Sequence, residues 1–263
     1  MNALNIWQEI QSEAKIEAAN EPLLSSFLET TILNHTSFEQ AISFHLANKL
    51  QSTNLNPSTL IELYMEAFNN DPSIIDSVIA DILAIRERDP ACKNYSTPLL
   101  YFKGFQALTS HRIAHWFWNN ERQYVALFLQ SRVSEVFTVD MHPAAKIGKG
   151  ILIDHAHGIV VGETAVIEDN VSILHDVTLG GTGKEAGDRH PKIGKGVLIG
   201  VGAKLLGNIT VGEGSKIGAG SVVLNDIPPH STAVGIPAKV VGTPQSDQPA
   251  LNMNHNIDLG AGI

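Results

Sequence analysis

The sequence predicts an α+β chain. An all-helical domain covers residues 1–138, a triangular prism of short parallel strands covers 139–241, and a flexible tail covers 242–263. Three observations carry this. Aliphatic residues recur at every sixth position between Met141 and Pro228, apolar residues before Val139 recur at helical spacing, and neither pattern is present after Gly242. A short internal period signals a stacked structure whose units bury their apolar residues only against their neighbours.

The helical domain is punctuated by start signals. Pro22 opens PLLSSFLETTILN in a first-turn position, where its missing N–H costs nothing. Ser37 and Gln40 form a capping box ahead of AISFHLANKL. Asn56-Pro57, Asp71-Pro72 and Thr97-Pro98 precede STLIELYMEAF, SIIDSVIADILAIRERD and LLYFKGFQALTSHRIAHWFW, and a last helix spans Glu121 to about Phe137. Ile75, Val78, Ile79, Ile82 and Leu83 make a buried stripe. His111 and His115 stand at i and i+4, a spacing that can ligate zinc. With no acidic or cysteine partner beside them, the plainer reading is two helix histidines near Trp116 and Trp118.

The prism follows from its beat. Ile147, Val161, Ile193, Ile199, Val211 and Ile217 are each followed by Gly, and Ile153, Ile167, Ile173, Leu179, Leu205 and Val223 keep the period without it. Small or β-branched residues (Ala165, Val171, Val177, Val197, Ala203, Ser215, Ser221) come four positions later, sized for tight corners. The Gly is expected to accept backbone angles that a side chain resists. Three hexads would make one coil. Strands of a sandwich would alternate with period two, and this sequence does not.

Two departures interrupt the beat. Two extra residues fall between Ile153 and Val161, enclosing DHAHGIV, and eight fall between Leu179 and Ile193, enclosing GGTGKEAGDRHPK. A solenoid extrudes such loops without loss of packing, and loops carry function. Titratable side chains concentrate in both.

Composition narrows the class. A net charge of −9 argues against nucleic acid or an anionic membrane as principal partner. The single Cys92 suits a reducing cytosol, no basic start with an apolar run suggests a signal peptide, and no apolar window is long enough to cross a bilayer. A cytoplasmic location is expected.

The hexad pattern resembles the hexapeptide-repeat acyltransferases, which implies a left-handed parallel β-helix. VDMHPAAKIGKGILIDHAHGIVVGETAVI, TLGGTGKEAGDRHPKIG and RERDPACKNYSTPLLYFKGF together are similar to serine O-acetyltransferases, over nearly the whole chain. That resemblance implies transfer of the acetyl group of acetyl-CoA to the hydroxyl of L-serine, the step before sulfur is fixed as cysteine, with no metal. His155 of the DHA motif falls at the family's catalytic histidine, and imidazole titrates where a serine hydroxyl needs a base. Asp140, about one coil earlier, is expected to orient and charge that ring. The resemblance gives Asp154 and Asp89 to the substrate ammonium and Arg189 and His190 to its carboxylate. Gly180, Gly181, Thr182, Val201, Gly202, Ala203 and Ala219 are corner candidates for acetyl-CoA, with Lys216 or Lys239 toward its phosphates. His157 stands where serine O-acetyltransferases often carry another residue.

Partners follow from the same source. A prism with flat faces implies a homotrimer, and the family adds a dimer of trimers. Cysteine is expected to inhibit by occupying the serine site. The tail ending at Ile263 would dock in O-acetylserine sulfhydrylase, its carboxylate and aliphatic side chain captured together. Two other classes fit less well. One is a hexapeptide transferase with a sugar acceptor, opposed by the helical domain and the DRHP insertion. The other is a zinc enzyme using His155, His157, His175 and His190.

Overall fold

The computed structural model describes residues 3–183 and 186–257. The helical domain holds α1 (Ala3–Asn20), α2 (Pro22–Leu28) running into a π-helical turn at Glu29–Leu33, α3 (Phe38–Leu50) and α4 (Pro57–Asn70). It continues with α5 (Ser73–Arg88), α6 (Ser96–Tyr101), α7 (Lys103–Asn119) and α8 (Gln123–Phe137). Most start signals hold, but α6 begins at Ser96, ahead of Thr97-Pro98, and α8 at Gln123, two residues after Glu121. Ser37 Oγ accepts from Gln40 N at 3.3 Å and Asn56 Oδ1 from Thr59 N at 3.0 Å. The box is offset by one residue, because Gln40 Oε1 reaches Thr36 N rather than Ser37 N. The long helix expected after Pro98 is broken at Phe102, which adopts extended backbone (φ −91°, ψ 103°) between α6 and α7.

From Val139 the chain winds into a prism with three parallel sheets. One face stacks β1 (Val139–Met141), β4 (Ile159–Val161), β7 (Thr178–Gly180), β10 (Lys204–Leu206) and β13 (Val222–Val223). The second stacks β2 (Lys146–Ile147), β5 (Val166–Ile167), β8 (Lys192–Ile193) and β11 (Thr210–Val211). The third stacks β3 (Leu152–Ile153), β6 (Ser172–Ile173), β9 (Leu198–Ile199) and β12 (Lys216–Ile217), then β14 (Thr232–Gly235) and the antiparallel β15 (Ala238–Gly242). Register repeats the sequence period. Val161 pairs with Leu179 and Leu205 with Val223, three hexads apart, while Ile147 pairs with Ile167 across the two-residue insertion. Ile167 pairs with Ile193 across the eight-residue one. Leu179, Ile199, Leu205 and Val211 are wholly buried, so the beat is the core.

The reason for the Gly after each aliphatic residue differs from the expected one. At Gly200 the backbone is not left-handed; a Cβ there would lie 2.7 Å from Ala219 N in the coil above. Close stacking therefore demands the Gly. The left-handed residue comes two positions later, as at Gly202 with φ +72°.

A buried ion pair between Asp81 of α5 and Arg112 of α7 joins the helical domain to the first coil through its bonds to Ile147 O, Gly148 O and Ile151 N. Residues 243–257 differ from the flexible tail expected after Gly242. A short helix α9 (Pro249–Asn252) inserts Ala250, wholly buried, between α5 and β9. Ala250 N donates to Gly196 O at 3.2 Å and Ala250 O accepts from Ser172 Oγ at 3.0 Å. A few well-placed contacts hold a segment with no period of its own. Ile263, the expected docking anchor, lies outside the described residues.

Candidate active site

The two-residue insertion makes a corner, Asp154–Gly158, between β3 and β4. His155 and Ala156 are left-handed there (φ 55° and 61°), which buries Ala156 and turns the His155 side chain outward, 71 % exposed. His155 Nε2 stands 3.8 Å from Asp154 Oδ2, and its ring meets the His175 ring edge-on at 5.6 Å. The corner forms one wall of a cavity of about 470 Å³. The helical domain supplies the other wall through Asp89, just past α5, and Tyr101, Lys103 and Gly104 around the α6–α7 break. Asp89 Oδ1 accepts from Ala91 N at 2.8 Å, a turn that fixes the carboxylate. Asp89, Asp154 and His155 are therefore brought together: a base beside two acids.

The eight-residue insertion builds the next corner, beyond β7. Lys192 Nζ pins it, donating to Asp188 Oδ1 and His190 O, both at 2.6 Å. Arg189 Nη2 donates to Glu163 Oε2 at 2.6 Å, and this bond holds the Glu163 carboxyl below its usual range. Thr164 N donates to His190 Nδ1 at 3.1 Å, leaving the ring proton on Nε2. Burial first, and then the Arg189 charge, lowers the His190 pKa and keeps that ring neutral. Space is tight: a Cβ on Gly162 would lie 2.1 Å from His190 Nε2.

Asp140 is not brought to His155. It lies on β1, and its Oδ1 accepts from Gln130 Nε2 of α8 at 2.7 Å. Its charge, with those of Glu163 and Arg189, reaches His142, so it belongs to the Arg189 corner. Strand β4 (Ile159–Val161) lies between the His155 corner and Gly162, against which His190 packs, so the two groups occupy successive corners of the prism. Asp89, Asp154 and His155 thus occupy one corner of the chain, and Arg189 and His190 the neighbouring one.

The acetyl-CoA candidates divide in the same way. Gly180, Gly181 and Thr182 run into the Arg189 corner. Val201, Gly202 and Ala219 stack above the His155 corner, where Gly202 N donates to His175 O at 3.0 Å. Ala203 points its methyl into the core and offers only backbone. Lys216 is covered, its ammonium bonded to Asn256 O. His255 of that covering segment feels the charges of Lys216 and Asp154, so the segment passes beside the site. The four histidines of the zinc reading do not converge; His157 bonds Lys103 and His190 bonds Thr164. His111 and His115 stack on α7, the latter bonded to Pro143 O at 2.7 Å, and serve as helix packing residues.

Sequence reasoning missed Lys103, Tyr101, Glu163 and Thr164. FKGF lay inside a quoted motif, yet its only local signal for the wall was Gly104, whose absent Cβ lets α7 touch β3.

Comparison with known proteins adds an independent line. Residues 6–110 match the family model described as serine acetyltransferase, N-terminal, and residues 190–225 match bacterial transferase hexapeptide (six repeats). A serine acetyltransferase of Escherichia coli K12 is 56% identical over 265 residues, covering 98% of this chain and 97% of the relative. A serine acetyltransferase complexed with cysteine superposes with a TM-score of 0.95 at 55% identity, covering 98% of this chain and 100% of the other. The soybean enzyme complexed with serine gives 0.88 at 60%, covering 90% and 97%. The Brucella abortus enzyme in complex with coenzyme A gives 0.89 at 49%, covering 91% and 96%.

Proposed function

The chain belongs to the serine acetyltransferase family and transfers the acetyl group of acetyl-CoA to the hydroxyl of L-serine, opening cysteine biosynthesis; from that premise we propose how its residues divide the work. His155 is the base. Its imidazole takes the serine hydroxyl proton as the oxygen attacks the thioester carbonyl carbon, and returns the proton to the departing sulfur, giving CoA and O-acetylserine. Asp89 and Asp154 hold the substrate ammonium beside it. Arg189 and His190 hold the carboxylate, Arg189 exchanging its single bond to Glu163 for a forked pair with the substrate.

The carrying observation is the separation of the two half-sites. The cavity that Asp89, Asp154 and His155 line does not include Arg189 or His190, and the His155 corner of one copy can meet the Arg189 corner of the next when prisms associate by threefold symmetry. The neighbour's corner also brings Asp140, which gives up Gln130 to orient and charge the His155 imidazole. Acetyl-CoA lies in the same seam, between Gly180, Gly181 and Thr182 of one copy and Val201, Gly202, Ala203 and Ala219 of the other. The catalytic unit is a homotrimer, and pairs of trimers meet through the helical domains.

The relative complexed with cysteine supports feedback at the serine site, since cysteine carries the same charged groups. The tail through Ile263 is assigned to docking on O-acetylserine sulfhydrylase, and the enzyme to the cytoplasm, where buried Cys92 stays reduced. Free-thiol release from acetyl-CoA tests the acceptor. L-serine should stimulate it, and equal stimulation by a galactoside would refute the reading.

A further inference from the structure

We infer that Lys103 and His157 form a clamp that positions His155, a reading that rests on His155 being the base. The corner that carries His155 is conformationally costly. Three of its five residues are left-handed, His155 (φ 55°), Ala156 (φ 61°) and Gly158 (φ 70°), and only the last lacks a Cβ. A side-chain-bearing residue in that region costs roughly 1–2 kcal/mol, so the corner needs support from outside itself.

Backbone bonds hold its two ends. Ala156 N donates to Asp154 O at 2.6 Å, Gly158 N to Thr138 O at 3.0 Å, and Asp176 N to His157 O at 2.6 Å. The side-chain support is the clamp. Lys103, the first residue of α7, places its ammonium 2.7 Å from His157 Nδ1 and 3.0 Å from Thr138 Oγ1. An ammonium only donates, so Nδ1 accepts and the neutral ring carries its proton on Nε2. Thr138 closes α8 and is itself left-handed (φ 58°). Three elements therefore meet at one nitrogen, two residues from the base.

The next residue shows that the meeting is built. A Cβ on Gly104 would lie 2.2 Å from Ile153 O and 3.1 Å from Ile153 Cβ. The first turn of α7 is thus seated by bare backbone on the strand residue directly before Asp154. Gly104 sets the height of the helix over the corner, and Lys103 reaches across it to His157. The helical domain does more than supply Asp89; it fixes the direction in which His155 points.

The test compares Lys103→Met, His157→Ala and His157→Asn in the full chain by steady-state kinetics and thermal melting. The Asn amide oxygen takes the place of Nδ1 and can accept from Lys103. Lys103→Met and His157→Ala should lower kcat roughly ten- to hundredfold, the scale of an ångström-sized misplacement, with KM for serine near its parental value. His157→Asn should recover most of the lost turnover. Parental kcat in His157→Ala overturns the clamp, as does an equal loss in the Ala and Asn variants. A raised KM with unchanged kcat overturns it too, assigning these residues to binding. His155→Ala is the control for the premise. If it retains turnover, the base assignment falls and the clamp's purpose with it; an inactive His155→Ala beside a fully active His157→Ala overturns the clamp alone.

Discussion

Asp81 and Arg112 form a buried ion pair, with Arg112 Nη2 2.7 Å from Asp81 Oδ2 and side chains 8% and 1% exposed. Arg112 also donates to Ile147 O and Gly148 O, and Asp81 Oδ1 accepts from Ile151 N at 2.9 Å. The pair ties α5 and α7 to the first coil, and so sets Asp89 and Lys103 over the His155 corner. Asp81→Ala leaves a buried guanidinium without its counter-charge and should cost about 3–5 kcal/mol of stability. Urea unfolding measures it. A loss under about 1 kcal/mol, the scale of an exposed pair, would show that the junction does not depend on this contact.

His155→Ala should lower kcat by roughly 10²–10⁴, the usual contribution of a general base. Asp140→Asn should cost less, because it orients and charges the ring without touching the substrate proton. Thiol release from acetyl-CoA with saturating L-serine gives both values. A larger loss in Asp140→Asn than in His155→Ala would reverse the assigned roles.

Stability should fall as pH drops below 6.5. Burial lowers the pKa of His45 to about 4 and of His111 to about 3 in the folded chain. Between those values and the unfolded 6.5, the unfolded chain binds more protons, so each histidine costs up to about 1.4 kcal/mol per pH unit of acidification. Above 6.5 neither contributes a slope. Denaturation midpoints from pH 7 to pH 5 check the sign, and His45→Gln should flatten the curve. An unchanged slope in that variant would remove His45 from the account.

Cysteine should inhibit competitively with serine, since both present an ammonium and a carboxylate to Asp89, Asp154, Arg189 and His190. Deleting Ile263 should abolish binding to O-acetylserine sulfhydrylase and leave acetyl transfer intact. Inhibition non-competitive with serine, or undiminished sulfhydrylase binding by the truncated chain, would refute the respective assignment.

The fold was largely legible because each hexad places an aliphatic residue in the core and, four positions on, a small or β-branched one. Ile199 or Leu205 can be recognised without knowing what stacks above it, and both are wholly buried. The break at Phe102 was not legible, since neither Gly nor Pro marks it and tertiary seating of α7 decides it. Nor was the docking of α9, which depends on one methyl at Ala250 fitting a gap that α5 and the prism define. In the site, residue types were legible from their chemistry and motifs. Their grouping was only partly so: Asp89, Asp154 and His155 come together as expected, yet Asp140, read as about one coil below His155, faces Gln130. Sequence spacing carries no record of which corner meets which copy.

The shared site is tested most directly by complementation. His155→Ala disables one half-site and Arg189→Ala the other, so each homotrimer should be nearly inactive in L-serine acetylation. Co-expressed and purified as mixed trimers, the two variants should regain a substantial fraction of parental kcat, because some seams then pair an intact His155 corner with an intact Arg189 corner. Mixed trimers no more active than either variant alone would contradict the account and return the whole site to a single chain.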